Sequence, residues 1–596
     1  MTHAPIAVVT HRDDPNRFHR YVEEILLAEG YPWYRTYDLA DGPLEVDALR
    51  AAAVVVVCAV TLTAEQEDEI GALTAAGARV LLLRPGHRLA RAFGLEPFEA
   101  LEPLSPSGWP RAGGPLILRG MTDRYVQANP GNALAATLPA ADLQFHERAD
   151  LYTWQGDSAA VALWLAPFLG QPSPHPAVVC TPHGAGRAVI YSFDLAASTV
   201  RFHQGRPEQA SNGAYPDYDA DGMYKANDLF VGCLDERLLD LPQADLHQDL
   251  FVRALGWLAP HPLPRVWHYP GDAPAVALFD GDSDGMSREQ YEATMAVADR
   301  HGVPYTVYVM STDYDALSPA RHQQIRAAGH GAGQHNWSGP RPELEEMRVG
   351  LRDQLASFER RYGCRAVSVR GHSTIWVGWT EMAQYLAAEG IRLDVNFAPI
   401  RYFDRGYLNG SGLPVRFMDS DGRFIDLYEQ VTISTDDGWR TDKTFLPARS
   451  LDECIAESRR QADDARDRYH TVYHPYFHPI SLDARGLMPW FDAMLAYTAD
   501  IPRFSDVDWV AFNDARRALR LEALDWDPQA RALTFAVRAD AAVDGATLVF
   551  EGAADSATVD GEPLPVTCRE REGREQSALV AELPRGAVRR FSVQWG

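Results

Sequence analysis

The sequence predicts an α/β protein of three regions, because three hydrophobic patterns follow one another along its 596 residues. Short Val/Leu runs alternate with helical patterns over residues 1–262. A second alternation of strands and helices, with polar residues at its strand ends, fills 265–517. Apolar and polar residues then alternate with period two over 520–596. A chain of this length exceeds one hydrophobic core, so two to four domains are expected.

Composition and charge exclude several classes of protein. The formal net charge of −26 argues against nucleic acid or an anionic membrane surface as a partner. The chain has no apolar run of about 20 residues and no signal-peptide pattern, so no membrane partner is expected. A cytoplasmic protein is the simplest expectation, although a chain trimmed of its leader would look the same. The six cysteines form no CxxC pair, which excludes zinc-finger and thioredoxin-like sites.

The first region begins with the strand pattern "IAVV", followed by the helical pattern "RFHRYVEEILLAEG". Continuous Val/Leu runs between helices indicate a parallel sheet that is buried on both faces. With its later stretch "GAGRAVIYSFDLAAS", the region resembles the glutamine-amidotransferase-like, flavodoxin-like domains that accompany some carbohydrate-active enzymes. Such domains mediate assembly elsewhere, so a homo-oligomer is one arrangement that the resemblance implies.

We predict that this first domain is not catalytic. Amidotransferase chemistry needs a cysteine on a Gly-flanked turn between strand and helix, and Cys58 in "VVVVCAVTLT" has no flanking glycine. We therefore expect Cys58 to be a buried core residue. The glycine-rich "HGAGRA" precedes a strand rather than a helix, which favours a hairpin turn over a phosphate-binding loop.

The borders of the middle region are set by composition. Five prolines fall between Pro260 and Pro274, which is typical of a linker. From about residue 520 the strands "ALTFAVRA" and "RRFSVQW" alternate apolar and polar residues, and Asp560–Gly561 is a hairpin signal. This pattern predicts a small C-terminal β-sandwich.

The middle region starts with an acidic stretch that directly follows an apolar strand. In "AVALFDGDSDGMSREQYEATMAVADRHGVPYTVYVM" we recognise a strand, an acidic loop, a helix and a second strand. Ser287 and Gln290 match the capping box that opens a helix. A βαβ unit places such a loop at the carboxyl end of its strand, where barrel enzymes hold their catalytic groups.

Four further motifs follow in the same region: "GHGAGQHNWSG", "VRGHS", "LDVNF" and "YHPYFHP". Together with "FDGDSDG", and in this order, they resemble the five motifs of the polysaccharide deacetylases, the NodB-homology domain of carbohydrate esterase family 4. The resemblance implies a distorted (β/α) barrel over 265–517 and a divalent metal, with zinc as the expected ion.

The resemblance implies a role for each matching residue. Asp280 matches the general base, Asp282 the metal-binding aspartate, His335 the first metal histidine, Arg370 the arginine that orients the base, and His474 the general acid. The chemistry agrees with these roles: a metal held by a carboxylate and imidazoles polarises water, and a carboxylate beside it takes the proton. A guanidinium paired with that carboxylate keeps it ionised.

One position departs from the family pattern. The second metal histidine would stand at 339, where this chain has Gly339. We therefore expect another residue to supply the third ligand, with His478 as the first candidate and His372 as the second. A site that has lost its metal is the other outcome that the substitution allows.

Other residues near the motifs have both structural and functional interpretations. We expect Asp284 to cap its loop rather than to bind a metal. The candidate substrate-binding residues are Trp337, His372, Trp376 and Asp394. Aromatic faces suit sugar rings, but core packing explains the tryptophans equally well, and a structural ion pair explains Asp394 equally well.

The function predicted from the sequence is metal-dependent hydrolysis of an acetyl group, preferably N-acetyl, on a saccharide substrate. The first alternative is a glycan-binding protein on a degenerate deacetylase scaffold. The second is a glycoside hydrolase with paired carboxylates, which would release reducing ends without acetate.

Overall fold

The computed structural model describes residues 4–98, 121–210, 222–399, 405–436 and 449–596. Within these ranges one nine-stranded sheet lies in the N-terminal region, and a second nine-stranded sheet lies in the middle region. Two antiparallel sheets, of four and five strands, involve the C-terminal region. No helix within these ranges is both long and apolar enough to cross a lipid bilayer.

The N-terminal sheet combines a parallel half with an antiparallel half. Its strands, together with the short pair β5 and β8, are β1 (Ile6–Thr10), β2 (Tyr34–Asp38), β3 (Val54–Val57), β4 (Arg79–Leu83), β5 (Leu95–Pro97), β6 (Met121–Ala128), β7 (Asp142–Ala149), β8 (Tyr152–Trp154), β9 (Val161–Ala166), β10 (Pro176–His183) and β11 (Gly186–Tyr191). The order is β2-β1-β3-β4-β11-β10-β9-β6-β7, with β2 to β11 parallel and the rest antiparallel.

Helices cover both faces of this sheet, as the buried Val/Leu runs require. They are α1 (Tyr21–Ala28), α2 (Val46–Ala51), α3 (Ala64–Ala75), α4 (His87–Ala92), α5 (Leu195–Gln204) and α6 (Gln243–Leu258). Cys58 is buried, as predicted. The glycine-rich stretch after His183 forms the hairpin between β10 and β11, also as predicted.

The middle region forms a curled half-barrel of mostly parallel strands. The region begins with β12 (Arg265–Val266), which joins a C-terminal sheet. The strands of the half-barrel and of the small sheet beside it are β13 (Val276–Leu278), β14 (Asp280–Asp282), β15 (Thr306–Val309), β16 (Gly331–Asn336), β17 (Ser368–Gly371), β18 (Leu393–Asp394), β19 (Val415–Met418), β20 (Phe424–Glu429), β21 (Ser434–Thr435), β22 (Val472–Tyr473), β23 (Pro475–Tyr476) and β24 (Arg503–Phe504). The order of the large sheet is β19-β20-β18-β17-β16-β15-β14-β23-β21, and only β19 is antiparallel to its neighbour.

The helices of this region are α7 (Arg288–His301), α8 (Pro319–Ala327), α9 (Leu344–Tyr362), α10 (Glu381–Ala388), α11 (Leu451–Asp463), α12 (Pro479–Ala484), α13 (Met488–Tyr497) and α14 (Asp506–Arg517). The predicted capping box is present at α7: the Ser287 hydroxyl accepts from the backbone N–H of Gln290, whose side chain accepts from the N–H of Ser287. Because the sheet is parallel, the carboxyl ends of β14, β16, β17 and β18 lie at one edge.

The C-terminal strands are β25 (Arg520–Asp527), β26 (Ala532–Arg538), β27 (Val543–Glu551), β28 (Ser556–Val559), β29 (Glu562–Leu564), β30 (Thr567–Arg571), β31 (Arg574–Leu583) and β32 (Val588–Gln594). They form the sheets β12-β27-β31-β30 and β25-β26-β32-β28-β29. Phe535 of one sheet contacts Phe550 of the other, with ring centroids 5.8 Å apart. The predicted Asp560–Gly561 hairpin joins β28 to β29, and both of its residues have positive φ.

The proline-rich segment that was predicted to be a linker is instead packed. Its residues Arg265 and Val266 form β12, which pairs with Val549 and Leu548 at the edge of the C-terminal sheet. Trp267 is fully buried beside them. Proline is tolerated in extended chain at a sheet edge, so a composition typical of a linker is compatible with an edge strand.

Buried ion pairs join the three regions. Glu24 of α1 accepts from Arg416 at 2.8 Å and from Arg517 at 2.6 Å, which both belong to the middle region. Arg265 donates to Glu29 of the N-terminal region and to Glu572 of the C-terminal region, at 2.6 and 2.9 Å. The half-barrel is therefore held between its two neighbours.

Candidate metal and hydrolytic site

The acidic stretch begins on β14, where its backbone is closely packed and then turns sharply. Asp280 and Asp282 are both buried and flank Gly281. A Cβ at Gly281 would lie 1.8 Å from the carbonyl oxygen of Phe477, so only glycine fits between the two aspartates. Asp284 follows with a φ of +39°, a left-handed conformation that costs energy in a non-glycine residue. This turn brings the Asp284 carboxylate back toward the strand ends.

Asp280 lies between the side chains of Arg370 and His474. Arg370 Nη2 donates to both carboxylate oxygens of Asp280, at 3.0 and 2.9 Å. His474 Nε2 lies 2.9 Å from Asp280 Oδ2, and His474 Nδ1 lies 3.0 Å from the carbonyl oxygen of Val431. Both ring nitrogens of His474 therefore face hydrogen-bond acceptors.

The ion pairs determine the protonation state of Asp280. Burial works to raise the pKa of its carboxyl group, but the charges of Arg370 and then His474 outweigh burial and lower it. Asp280 is therefore an ionised carboxylate that is held in a fixed orientation at the centre of the site.

Asp284 is surrounded by three imidazoles. Its Oδ1 lies 3.1 Å from His335 Nε2 and 3.0 Å from His372 Nδ1, and its Oδ2 lies 3.3 Å from His478 Nε2. Burial works to raise the pKa of Asp284, and the contacts with these histidines reverse that effect and hold it well below the usual range. Asp282 joins the same group, since its Oδ2 lies 3.5 Å from His335 Nε2.

The hydrogen bonds of His335 make this group suitable for a cation. His335 Nδ1 lies 2.9 Å from the carbonyl oxygen of Arg370, so Nδ1 carries the proton in the neutral ring. The lone pair of Nε2 then faces the carboxylates of Asp282 and Asp284, an arrangement that is favourable only if a proton or a metal ion lies between them. Fixing the tautomer through a backbone carbonyl is how metal-binding histidines are usually oriented.

Two further observations fit a metal ion. Ligand atoms of Asp284, His335 and His372 all lie within 4.8 Å of one another. Asp282 Oδ1 is buried and has no hydrogen-bond partner among the described residues. Carboxylate and imidazole ligands suit a borderline divalent ion such as zinc, so the residues that are present fit the group that the motifs imply.

His478 has a different environment from the other histidines of the site. Its Nδ1 lies 2.6 Å from Asp436 Oδ1, and its backbone N–H donates to Asp436 Oδ2 at 2.9 Å. Its Nε2 lies 2.6 Å from the hydroxyl of Tyr476 as well as close to Asp284. A carboxylate therefore fixes one nitrogen of His478 while the other faces the metal-ligand group.

The structure assembles most of the residues that the sequence singled out, but it changes the place of several. His372, the second candidate for the third ligand and also a predicted substrate contact, lies in the candidate metal-ligand group with Asp284 and His335, whereas the first candidate, His478, is not part of that group of three. Asp284, expected to be a loop cap, lies at their centre. Gly339 has a φ of +96° and open space around it, so it contributes no ligand.

Two predicted substrate contacts are wrong. Trp376 is 1% exposed and packs between Phe397 and Phe417, so it belongs to the core. Asp394 is fully buried and accepts hydrogen bonds from Asn396. Trp337 remains partly buried, and its ring lies 4.9 Å from that of His372 at the edge of the site.

Sequence reasoning missed Asp436 and the role of Asp284. Asp436 is the first of two aspartates after "TIST", outside the five motifs, and nothing in its local pattern marks it. For Asp284 a signal existed: three aspartates alternate with small residues in "DGDSDG", which leaves the loop free to turn each carboxylate inward.

Comparison with known proteins gave matches only among solved structures. No protein-family model matches the chain, and no curated protein matches it. A polysaccharide deacetylase from Mycobacterium smegmatis shares 16% identity, with 42% of this chain and 94% of that chain covered and a TM-score of 0.33. A probable polysaccharide deacetylase from Pseudomonas aeruginosa PAO1 shares 13%, with 41% and 92% covered and a TM-score of 0.30.

A family 4 carbohydrate esterase from Bacillus anthracis shares 13% identity, with 41% of this chain and 86% of that chain covered and a TM-score of 0.24. At these TM-scores the likenesses carry no argument about activity. The comparisons give no support to the resemblance between the N-terminal region and amidotransferases.

Proposed function

We propose that this chain is a metal-dependent hydrolase that removes acetyl groups, preferably N-acetyl, from a saccharide. The observation that carries the proposal is the pairing of two groups at one strand end. An ionised carboxylate, Asp280, lies two residues from Asp282, which borders a cluster of imidazole and carboxylate ligands. Hydrolysis of an amide needs both a base and an electrophile within reach of one water molecule.

In this proposal Asp284, His335 and His372 hold the metal, and Asp282 completes the group with Oδ2, which lies 3.5 Å from His335 Nε2. A bound divalent ion would polarise the attacking water and the acetyl carbonyl. Zinc is the proposed ion because imidazole and carboxylate ligands suit it.

Asp280 is the proposed general base. Arg370 and His474 keep it ionised at neutral pH and fix its direction, so it is ready to accept the proton of a water molecule. In this arrangement His474, which the motif comparison makes the general acid, is fully buried, and its Nε2 faces Asp280 rather than the metal-ligand group.

His478 is the better candidate for the proton donor to the leaving amine. Asp436 holds its Nδ1 and stabilises the imidazolium form, which is how a carboxylate prepares a histidine for proton transfer. Its Nε2 faces the metal-ligand group across Asp284. We expect His478→Asn to lower kcat while metal content stays at the wild-type level. If that variant loses its metal instead, His478 is a ligand.

The proposed substrate is a carbohydrate, and Trp337 with the partly exposed His372 forms the proposed contact surface. Flat aromatic faces pack well against the apolar faces of pyranose rings. Trp337→Ala is expected to raise KM more than it lowers kcat.

The test is to incubate the purified full chain with zinc, measure bound metal, and assay acetate release from chito-oligosaccharides. Stoichiometric zinc and acetate release that a chelator abolishes would support the proposal. Absence of both would favour the glycan-binding alternative. Release of reducing ends that survives chelation would identify a glycoside hydrolase instead.

A further inference from the structure

A pair of buried carboxyl groups lies beside the strand that carries Arg370. Asp394, the last residue of β18, and Glu429, the last residue of β20, are neighbours in register across the two strands. Both side chains are fully buried, and as in-register neighbours on parallel strands they lie on the same face of the sheet. Two neighbouring carboxylates that are buried away from water do not both ionise, so one of them carries a proton.

The surrounding donors decide which carboxyl group is protonated. Asp394 Oδ1 accepts from the side-chain amide of Asn396 at 2.6 Å, and Asp394 Oδ2 accepts from the backbone N–H of Asn396 at 3.2 Å. Both oxygens of Asp394 therefore act as acceptors, as an ionised carboxylate requires.

Glu429 has a poorer set of donors. Its Oε1 accepts from the backbone N–H of Phe397 at 3.0 Å, while Oε2 has no donor among the described residues. A proton on Oε2 can be donated to Asp394, which satisfies both groups. Burial, and then the charge of Asp394, raise the pKa of Glu429 well above its usual value, in agreement with this assignment.

The pair is connected to the metal site through Asn396. The side-chain oxygen of Asn396 accepts from the backbone N–H of Gly371 at 2.7 Å. Gly371 lies directly between Arg370, which holds the base, and His372, a candidate ligand. The amide of Asn396 can present its oxygen to Gly371 only while its nitrogen donates to Asp394, so the ionised state of Asp394 fixes this contact.

We propose that Glu429 and Asp394 share one proton, carried by Glu429, and act as positioning residues for the Arg370–His372 segment. The inference rests on the proposed function for the chemistry that this segment performs. The hydrogen bonds that support it run from Asp394 through Asn396 to the backbone of Gly371, and Glu429 is the buried in-register neighbour of Asp394.

The proposal predicts unequal effects for two nearly isosteric variants. Glu429→Gln keeps a donor toward Asp394 and an acceptor for Phe397, so zinc affinity should remain close to wild type. Asp394→Asn places an N–H₂ group opposite the N–H groups of Asn396, which donate to the carboxylate in the wild type. Zinc affinity should therefore fall about 10–100-fold, which is typical when a residue that orients a metal ligand is replaced. Glu429→Ala should lose affinity, and Glu429→Gln should restore it.

Zinc affinity is measured on the full-length variants by competition with a chromophoric chelator, with circular dichroism to compare their folding. Infrared spectroscopy supplies the second measurement, since a protonated carboxylic acid has a carbonyl stretching band that shifts in D₂O. Other buried carboxyl groups, such as Glu29 with its pKa raised to about 8, also contribute to this region, so we expect a band in the difference spectrum between wild type and Glu429→Gln. The assignment is overturned if that difference band is absent, or if Glu429→Gln weakens zinc binding as much as Asp394→Asn does.

The infrared measurement needs only wild type and Glu429→Gln. It therefore still tests the assignment of the proton if Asp394→Asn or Glu429→Ala does not fold. It separates the inference from the proposed function as well. A wild-type protein that binds zinc but releases no acetate would refute the hydrolase, while the ranking of the variants by zinc affinity would still decide the inference. A wild type that binds no zinc would overturn the positioning role along with the hydrolase.

Discussion

Replacing Arg370 by methionine removes the main partner of the buried carboxylate Asp280. Arg370 is 1% exposed and donates from Nη2 to both Asp280 oxygens and to the Thr432 hydroxyl at 3.0 Å. Removing one member of a buried ion pair typically costs about 3–5 kcal/mol, because the other charge stays buried. His474 still faces Asp280, so we expect the lower end, about 3 kcal/mol, which raises the unfolding equilibrium constant about a hundredfold.

The same variant should change the pH dependence. In the wild type the lowered pKa of Asp280 contributes stability that is present above pH ~4 and is lost as pH falls below it. Burial raises the pKa of Asp280, and the charge of Arg370 lowers it. Without Arg370 the pKa of Asp280 therefore rises, and the acid limb of the pH profile of acetate release should move to higher pH.

Urea unfolding and the pH profile of acetate release measure the two effects. Arg370→Lys serves as the control, since it keeps the charge but loses the planar guanidinium, and it should lie between the methionine variant and wild type. A loss below about 1 kcal/mol in Arg370→Met, the size expected of an exposed ion pair, together with an unmoved acid limb, would refute this reasoning.

Three further predictions follow from other contacts. His335→Ala should abolish stoichiometric zinc binding, measured by atomic absorption, while His301→Ala on the surface of α7 should not; equal zinc in both variants would exclude His335 as a ligand. Burial lowers the pKa of His247 to about 4 against the usual 6.5, so stability should be lost as pH falls from 6.5 towards 4, by about 3 kcal/mol. His247→Gln should flatten that slope in urea titrations, and an unchanged slope would contradict the assignment. Gly281→Ala should destabilise the fold by about 3 kcal/mol because the added Cβ would collide with the Phe477 carbonyl. Gly285→Ala has open space but a φ of +78°, so it should cost about 1 kcal/mol. Similar urea midpoints for the two variants would contradict the steric argument.

The strand-end residues of the site could be predicted because a parallel sheet collects its carboxyl ends at one edge. Asp280 and Arg370 directly follow apolar runs. Asp282 stands two residues after Asp280, and His335 ends the glycine-rich stretch "GHGAGQH". The structure brings all four together. The apolar pattern that predicts a buried strand therefore also predicts which polar residues lie at its carboxyl end.

Residues whose position depends on a turn could not be predicted in the same way. Asp284 reaches the imidazoles only because its backbone adopts a left-handed conformation, which sequence spacing does not reveal. His372 joins them through the short helical turn His372–Thr374, in which Ser373 has a φ of +55°. Trp376, four residues beyond His372, is a candidate substrate contact from the sequence, although its apolar neighbours in "TIWVGW" are equally typical of a core.

The short strand β12 decides whether the regions can be separated. A cut at residue 262 leaves Glu29 without the guanidinium of Arg265, and a cut at 520 removes the edge against which Arg265 and Val266 pair. Each fragment would expose to solvent charged or apolar residues that are buried in the intact chain. Expression of residues 265–517 alone should therefore yield aggregated material, so a soluble preparation of the half-barrel requires that both flanking regions be retained.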